Sequence, residues 1–223
     1  VYGGELARAY YGAALTIATV ISYSSYLAYA LYPRLLSESS LEDVTTSLKM
    51  VLMFTIPMTA GAITLSDSYL TILNPLYSDA RQILILLSIS SACSNLVSIF
   101  TFIVMGSEQL DVEAKIVFKD LVKSGLFLVY SLPYIQSAFM LPIAYFTLTT
   151  MVKSGIDAAT VISIITLVAN ITILFILYVI AKKYIRFGLP WDSITKYILA
   201  SAVMSITLYL FPSPTRLTAT LAL

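Results

Sequence analysis

The chain has 223 residues, and only 11% of them are charged, against roughly 25% in a typical soluble domain. With 59% apolar residues, a soluble fold of this length could not cover its surface with polar groups. The formal net charge is +1 and the basic residues form no cluster, so the sequence offers no electrostatic attraction for nucleic acid. Histidine is absent and Cys93 is the only cysteine, which excludes an internal disulfide and removes the common zinc ligands. We therefore expect a membrane protein with no cofactor, no metal site and no nucleic-acid partner.

Uncharged apolar runs recur along the chain at the length of about 20 residues that a helix needs to cross a bilayer. The second run extends past Asp67 and ends at Asn74-Pro75, and the last run ends before Pro212, because proline cannot continue a helix. The sequence therefore predicts an all-α polytopic protein with about six transmembrane helices. The predicted spans are residues 9–33, 50–73, 83–105, 126–152, 158–181 and 197–211.

The fourth run contains Pro133 and Pro142, so it is compatible with one helix or two short ones. With one helix, nine basic residues fall on one side of the membrane and four on the other, whereas two helices divide them seven to six. The positive-inside rule favours the single helix and predicts that the connections after Pro33, Gly106 and Ala181 are cytoplasmic in a cell-membrane protein. The nine basic residues are Arg34, Lys49, Lys115, Lys119, Lys123, Lys182, Lys183, Arg186 and Lys196.

Two connecting segments have helical patterns of their own. Residues 39–42 read Ser-Ser-Leu-Glu, which matches a capping box, and apolar residues follow at helical spacing. Residues 108–123 carry acids early and lysines late, as the helix dipole favours. We predict two interfacial helices along the inner membrane surface, at about residues 40–48 and 108–123.

Polar residues recur at helical spacing in three of the predicted spans. Hydrocarbon cannot form hydrogen bonds with these groups, so each stripe must face other helices or a wet cavity. Helix packing explains any one stripe, whereas three together indicate a hydrated path. The stripes are Thr16, Thr19, Tyr23 and Tyr26 in the first span, Ser88, Ser91, Asn95 and Ser98 in the third, and Ser163, Thr166 and Asn170 in the fifth. The candidate cavity residues among them are Thr19, Tyr23, Tyr26, Ser91 and Asn95.

Asp67 is the only acid that falls well inside a predicted span. A charge at the centre of a membrane helix costs roughly 2.5–3.5 kcal/mol on insertion scales. This cost predicts a use for Asp67 in the substrate cavity, unless its side chain reaches interfacial water. Pro57 and Gly61 lie in the same span and would weaken its backbone hydrogen bonds, which permits a kink.

The order of these features has a family resemblance. Tyr32-Pro33 closes the first predicted helix, Lys49 opens the second, Tyr77-Ser78-Asp79-Ala80 leads into the third and Gly106 closes it. Together with Pro57 and Gly61 and the sidedness of the connections, this order resembles the multidrug/oligosaccharidyl-lipid/polysaccharide flippase superfamily over about residues 5–210. The closest branch is that of the polysaccharide or lipid-linked oligosaccharide flippases. The resemblance implies that residues 1–223 form one membrane domain, most of the C-terminal lobe of a two-lobed flippase, and that an N-terminal lobe precedes it.

What the resemblance implies about function is alternating-access transport of a lipid-linked oligosaccharide or polysaccharide precursor. The implied partners are the lipid bilayer, the lipid-linked glycan substrate and the N-terminal lobe of the same protein. Family flippases often bind the lipid diphosphate through basic cavity residues, whereas here no Lys or Arg lies deep in a predicted span. The candidate phosphate or gating contacts are therefore Arg8, Arg34 and Arg81 at helix ends.

Two other functions stay open at this point. A drug or cation antiporter of the same superfamily would use an intramembrane acid such as Asp67 to couple its substrate to protons or sodium. A structural membrane subunit would bury its polar stripes between helices. A membrane-embedded transferase usually needs paired acids or a catalytic histidine, so we expect that the chain is not an enzyme.

The predicted topology can be tested by cysteine labelling in a Cys93→Ser background. We expect that Lys153→Cys reacts with a membrane-impermeant thiol reagent added to intact cells and that Lys183→Cys does not, because the six-helix arrangement puts these positions on opposite sides. Labelling would be read on the purified protein. Reaction at position 183, or protection at position 153, would contradict the predicted sidedness.

Overall fold

The computed structural model describes residues 4–29, 41–107, 124–150, 152–185 and 187–210, and this part of the chain is helical without a β-strand. Besides α-helices it contains two 3-10 helices, which we call η1 and η2. The elements in chain order are α1 (Gly4–Ser22), η1 (Tyr23–Ala28), α2 (Leu41–Thr64), α3 (Ser66–Leu73), η2 (Pro75–Ala80), α4 (Arg81–Ser107), α5 (Gly125–Thr150), α6 (Gly155–Tyr184) and α7 (Trp191–Leu210).

Five helical stretches in the described ranges are long and apolar enough to cross a membrane, so the chain has the character of a multi-pass membrane protein. The sequence predicted six spans. The first predicted span, 9–33, is not among the five. Helix α1 carries Glu5 and Arg8 in its first two turns, which lowers its mean hydropathy. The predicted span also extends beyond the described residues. The five are Glu42–Thr64, Pro75–Ser107, Gly125–Thr150, Gly155–Tyr184 and Trp191–Leu210.

The region predicted as an interfacial helix at 40–48 and a span at 50–73 has a different arrangement. One continuous helix, α2, covers residues 41–64, because the buried face of Val44 and Leu48 continues without interruption into Val51. The helix then breaks at Leu65, whose backbone has φ −100° and ψ 19°, and α3 begins. The second predicted interfacial helix, 108–123, lies outside the described residues.

Pro133 and Pro142 both lie within α5 and do not divide it. Proline removes one backbone donor and usually bends a helix, yet helical backbone continues through both positions. The fourth predicted span therefore corresponds to one helix, the alternative that the distribution of basic residues favoured.

The helices alternate in direction around α4, and the core consists of two apolar clusters, one near each end of the bundle. We call these ends the Arg81 end and the Lys182 end. Because α4 runs from one cluster to the other, it is the central helix, and it packs against α1, α2, α5 and α6. The cluster at the Arg81 end includes Tyr10, Ala14, Leu70, Ile83 and Leu84. The cluster at the Lys182 end includes Val44, Leu48, Ile99, Ile103 and Leu177.

Helix α7 lies at the edge of the bundle. Within the described residues it packs almost entirely along α2, and Ser201 is the residue of α7 that this contact buries, at 3% exposure. Small residues such as Ser201 and Gly61 allow membrane helices to approach closely. Most large apolar side chains of α7 are exposed, as suits a helix that faces lipid.

Candidate functional site

A layer of hydrogen-bonding side chains lies between the two apolar clusters, and its centre is Asn95 of α4. Asn95 is 1% exposed. Its Nδ2 donates to the carbonyl of Ile21 at 2.9 Å, to Ser24 Oγ at 2.7 Å and to Thr55 Oγ1 at 3.0 Å. Since an amide has two N–H groups, two of these acceptors share one hydrogen. Ser24 Oγ and Thr55 Oγ1 are also hydrogen-bonded to each other at 2.7 Å, so the cluster joins α1, η1, α2 and α4.

The Asn95 cluster coincides with a change of helix type at the end of α1. Ile21 and Ser24 are the residues where α1 changes into η1, and a 3-10 stretch of six residues is longer than most. Ser24 Oγ donates to the carbonyl of Ile21 at 2.9 Å, and Ser25 Oγ donates to the carbonyl of Ser22 at 2.7 Å. Side-chain donors of this kind compete for carbonyls that an α-helix would use. We attribute the change of helix type to this competition.

The same layer continues to the other side of α4. Asn170 of α6 donates from Nδ2 to Ser90 Oγ at 2.7 Å, and Gln136 Nε2 of α5 lies 3.5 Å from Asn170 Oδ1. Ser90 is buried. Hydrogen bonds at about half the depth of the bundle therefore link α4 to α1, η1 and α2 on one side and to α6 on the other, and α6 is linked in turn to α5.

The position of Asn95 differs from the one that the sequence analysis predicted. Asn95 was expected to line a wet cavity, yet its side chain is buried among α1, α2 and α4 and its amide donors are satisfied there. Ser91 is half-buried on α4, and no hydrogen bond within the described ranges links it to the polar face of α1. Helical spacing showed that these polar residues share a face of their helix, but it could not show which neighbouring helix or cavity that face meets. The sequence analysis missed Ser24 and Thr55, since neither lies on a periodic stripe of its own.

The other candidate cavity residues do lie together, on an exposed face of α1 and η1. Thr19 is exposed, and Tyr23 and Tyr26 are 59% and 62% exposed. The rings of Tyr23, Tyr26 and Tyr29 form a column with centroid distances of 6.0 and 5.5 Å. This tyrosine column ends on Phe102 of α4, 4.9 Å away. In the part of the chain that the structure describes, no hydrogen bond is made by these phenol groups.

Asp67 occupies a different environment from the predicted one. It lies in the first turn of α3, after the break at Leu65, and its carboxylate forms a 3.0 Å ion pair with Arg81. The two side chains are 53% and 56% exposed. Asp67 lies beyond Thr64, where the candidate span in α2 ends, and its charge is paired. It is therefore not an unpaired acid well inside a span.

The three arginines proposed as phosphate or gating contacts do not form one site. Arg81 is paired with Asp67, which offsets its charge. Arg8 is exposed at the start of α1 and lines a cavity of about 310 Å³ with Tyr11 and Leu148. Arg34 lies outside the described residues.

Two larger cavities are lined mostly by apolar side chains. One, of about 700 Å³, lies between α1, α2 and α7, and we call it the α1–α2–α7 cavity. The other, of about 410 Å³, lies between α5 and α6 and has Gln136 in its wall. Within the described ranges, no group of three His, Cys, Asp or Glu residues is placed to hold a metal ion.

Comparison with known proteins gives no match: no protein-family model, no curated protein and no solved structure is significantly similar to this chain. Its function must therefore be argued from the arrangement of its own residues.

The Asn95 cluster should contribute measurably to stability. Replacement of Asn95 by Ala removes the amide that donates to the Ser24 and Thr55 hydroxyls and to the Ile21 carbonyl. We therefore expect a loss of about 1–2 kcal/mol in the free energy of unfolding. The measurement is reversible unfolding in mixed micelles or bicelles. Ser91→Ala on the same helix serves as the control and should cost less than about 0.5 kcal/mol. Equal losses for both variants would contradict the central position of Asn95.

The Asp67–Arg81 pair should behave as a surface ion pair. We expect a coupling free energy below about 1 kcal/mol in a double-mutant cycle with Asp67→Asn and Arg81→Gln, because both groups are more than half exposed. The coupling should decrease further as salt is added. If the pair were desolvated, either single replacement would lower the free energy of unfolding by about 3–5 kcal/mol. A loss of that size would show that the pair is not a surface ion pair.

Proposed function

We propose that this chain belongs to a membrane transporter that moves a lipid-linked oligosaccharide or polysaccharide precursor across the cell membrane by alternating access. In this proposal the exposed face of α1 and η1 contacts the glycan head group, between this chain and an N-terminal lobe of the same protein. The lipid chain of the substrate stays in the bilayer. The Lys182 end faces the cytoplasm, because the predicted topology gives that side more basic residues.

The observation that carries the proposal is the exposed tyrosine column. Phenol hydroxyls both donate and accept hydrogen bonds, and hydrocarbon supplies no partner for them. A face that carries Thr19, Tyr23 and Tyr26 is therefore better matched to water and to a hydroxyl-rich head group than to lipid chains. The hydroxyls of Thr16 and Thr19 donate to carbonyls of their own helix, so the tyrosines are the side chains that need an external partner.

Irregular helices support a transport function. Transporters commonly use interrupted membrane helices at the place where substrate passes. Helix α1 changes into η1 near the Asn95 cluster. Helix α2, which forms the first candidate span, contains Pro57 and ends at an irregular residue, Leu65. Points of this kind are where a helix can bend during transport.

The environment of Asp67 weakens the antiporter alternative. Coupling to protons or sodium generally uses an acid that is shielded from bulk water and that faces the bundle interior. Asp67 is 53% exposed and is already paired with Arg81. The structural-subunit alternative leaves the exposed tyrosine column without a use.

The proposal is tested with the full-length protein reconstituted in liposomes that contain a fluorescent lipid-linked oligosaccharide. Transport is measured as the increase in glycan accessible to a lectin or glycosidase on the opposite side of the membrane. We expect that Tyr26→Phe lowers the transport rate by roughly two- to tenfold, which corresponds to one hydrogen bond of about 0.5–1.5 kcal/mol. The ring stack with Tyr23 and Tyr29 is retained in this variant.

Tyr130→Phe is a matched control, since Tyr130 lies on α5 and is 61% exposed. It loses the same hydroxyl away from the tyrosine column and should transport at the rate of the unmodified protein. If the unmodified protein moves no glycolipid, or if both variants are equally slow, the proposed function is wrong.

A further inference from the structure

Helices α1 and α2 are in contact near the Asn95 cluster and separate on the side of it towards the Arg81 end. Thr55 is hydrogen-bonded to Ser24, which holds the two helices together. Two residues further along α2, Pro57 already lines the α1–α2–α7 cavity, and Gly61 and Leu65 line it as well. Among the described residues, the Asn95 cluster is therefore the hydrogen-bonded link between these helices at the edge of the cavity.

The part of α2 that borders the cavity has an irregular point at each end. Pro57 has no N–H, so one backbone hydrogen bond of α2 is missing at its start. At its other end the helix breaks at Leu65. Between these points, Thr59 Oγ1 donates to the carbonyl of Thr55 at 2.7 Å and Thr64 Oγ1 to that of Ala60 at 2.8 Å. Hydroxyl bonds of this kind bend helices. Backbone hydrogen bonds nevertheless continue past Leu65, because its N–H donates to the Gly61 carbonyl and its own carbonyl accepts from Tyr69 N–H, both at 2.9 Å. Pro57 is therefore the point at which residues 56–64 can bend most readily, and we call it the joint.

The two helices next to residues 56–64, α3 and α7, differ in how they pack against the rest of the bundle. Helix α3 belongs to the apolar cluster at the Arg81 end through Leu70, which is fully buried with Tyr10 and Leu84. In contrast, α7 packs on α2 rather than on the central helix, and it borders the cavity through Met204 and Leu208. Residues 56–64 and α7 thus form one wall of the cavity, and α1 forms the opposite wall.

We propose that residues 56–64 and α7 move as a unit relative to α1, with the Asn95 cluster as the fixed point, and that this movement opens and closes the α1–α2–α7 cavity. The Asn95 cluster keeps Thr55 in place next to Pro57, so that bending is confined to the joint. Closing the cavity brings Met58 and Met204 towards Ile17 and Val20 of α1. The inference goes beyond the transport proposal, because it makes no reference to a substrate.

The test is the distance between two spin labels, measured by pulsed electron paramagnetic resonance on the full-length protein in nanodiscs, with Cys93 replaced by Ser. One label replaces Leu15 on α1 and the other replaces Ile206 on α7, and both positions are exposed. We expect two distances, the shorter one from the closed cavity, that differ by up to about 5 Å, the size of a one-turn displacement of one helix past another. Labels at Leu15 and Ile164 of α6 report within the fixed part and should give one distance.

Two substitutions with matched controls test the fixed point and the joint. Pro57→Ala restores a backbone donor and should reduce the Leu15–Ile206 distances to one, whereas Pro133→Ala in α5 should leave both. Asn95→Leu removes the fixed point and should broaden the distribution of Leu15–Ile206 distances. Asn170→Leu removes a different amide link and should leave that distribution unchanged.

A single narrow Leu15–Ile206 distance in the protein with native Pro57 and Asn95 would overturn the proposal. So would equal effects of Pro57→Ala and Pro133→Ala. If Asn95→Leu prevents folding, the comparison of the two proline variants still decides the outcome. None of these measurements uses transport, so failure here and failure of the proposed function are separate results.

Discussion

The rest of the structure depends on one constraint, that hydrogen-bonding groups within a bilayer must find their partners inside the protein. Asn95 meets this constraint with three acceptors from three helices, and Asn170 extends the same layer to the far side of α4. Apolar packing on each side of this layer is not directional, since lipid chains are as apolar as leucine. The amides therefore fix which helices meet and at what height, and the apolar clusters fill the space around them.

The exposed and buried polar groups have different roles as a result. The buried amides join helices to one another, whereas the tyrosine column is exposed at the surface of α1 and η1. Charges follow the same division, because Asp67 and Arg81 are paired at one end of the bundle and more than half exposed. Charges at mid-depth in a bilayer are costly, and this pair lies instead at the Arg81 end, outside the candidate span of α2.

Hydropathy predicted the membrane character of the chain and the positions of five long apolar helices, because the length of a spanning helix is set by the bilayer. The break at Leu65 could not be predicted in the same way, since neither Thr64 nor Ser66 departs from an apolar run enough to mark a helix end. This break explains the outcome for Asp67, which the sequence places inside a span and the structure places in α3. Periodicity identified Asn95 and Tyr23 as polar stripe residues, but only tertiary packing distinguishes a buried amide from an exposed phenol. The residues that pair with Asn95 are distant in sequence, so a single sequence contains no signal for them.

The attachment of α7 to α2 has a consequence for how the chain assembles during synthesis. Thr64 and Trp191 are separated by roughly 130 residues, which take on the order of ten seconds to synthesise at about 5–20 residues per second. During that interval α4, α5 and α6 emerge while the face of α2 that binds α7 has no protein neighbour. Helix α2 must therefore be held by the Asn95 cluster and the apolar core before α7 arrives. Among the described helices, α7 is therefore added to a centre that is already assembled.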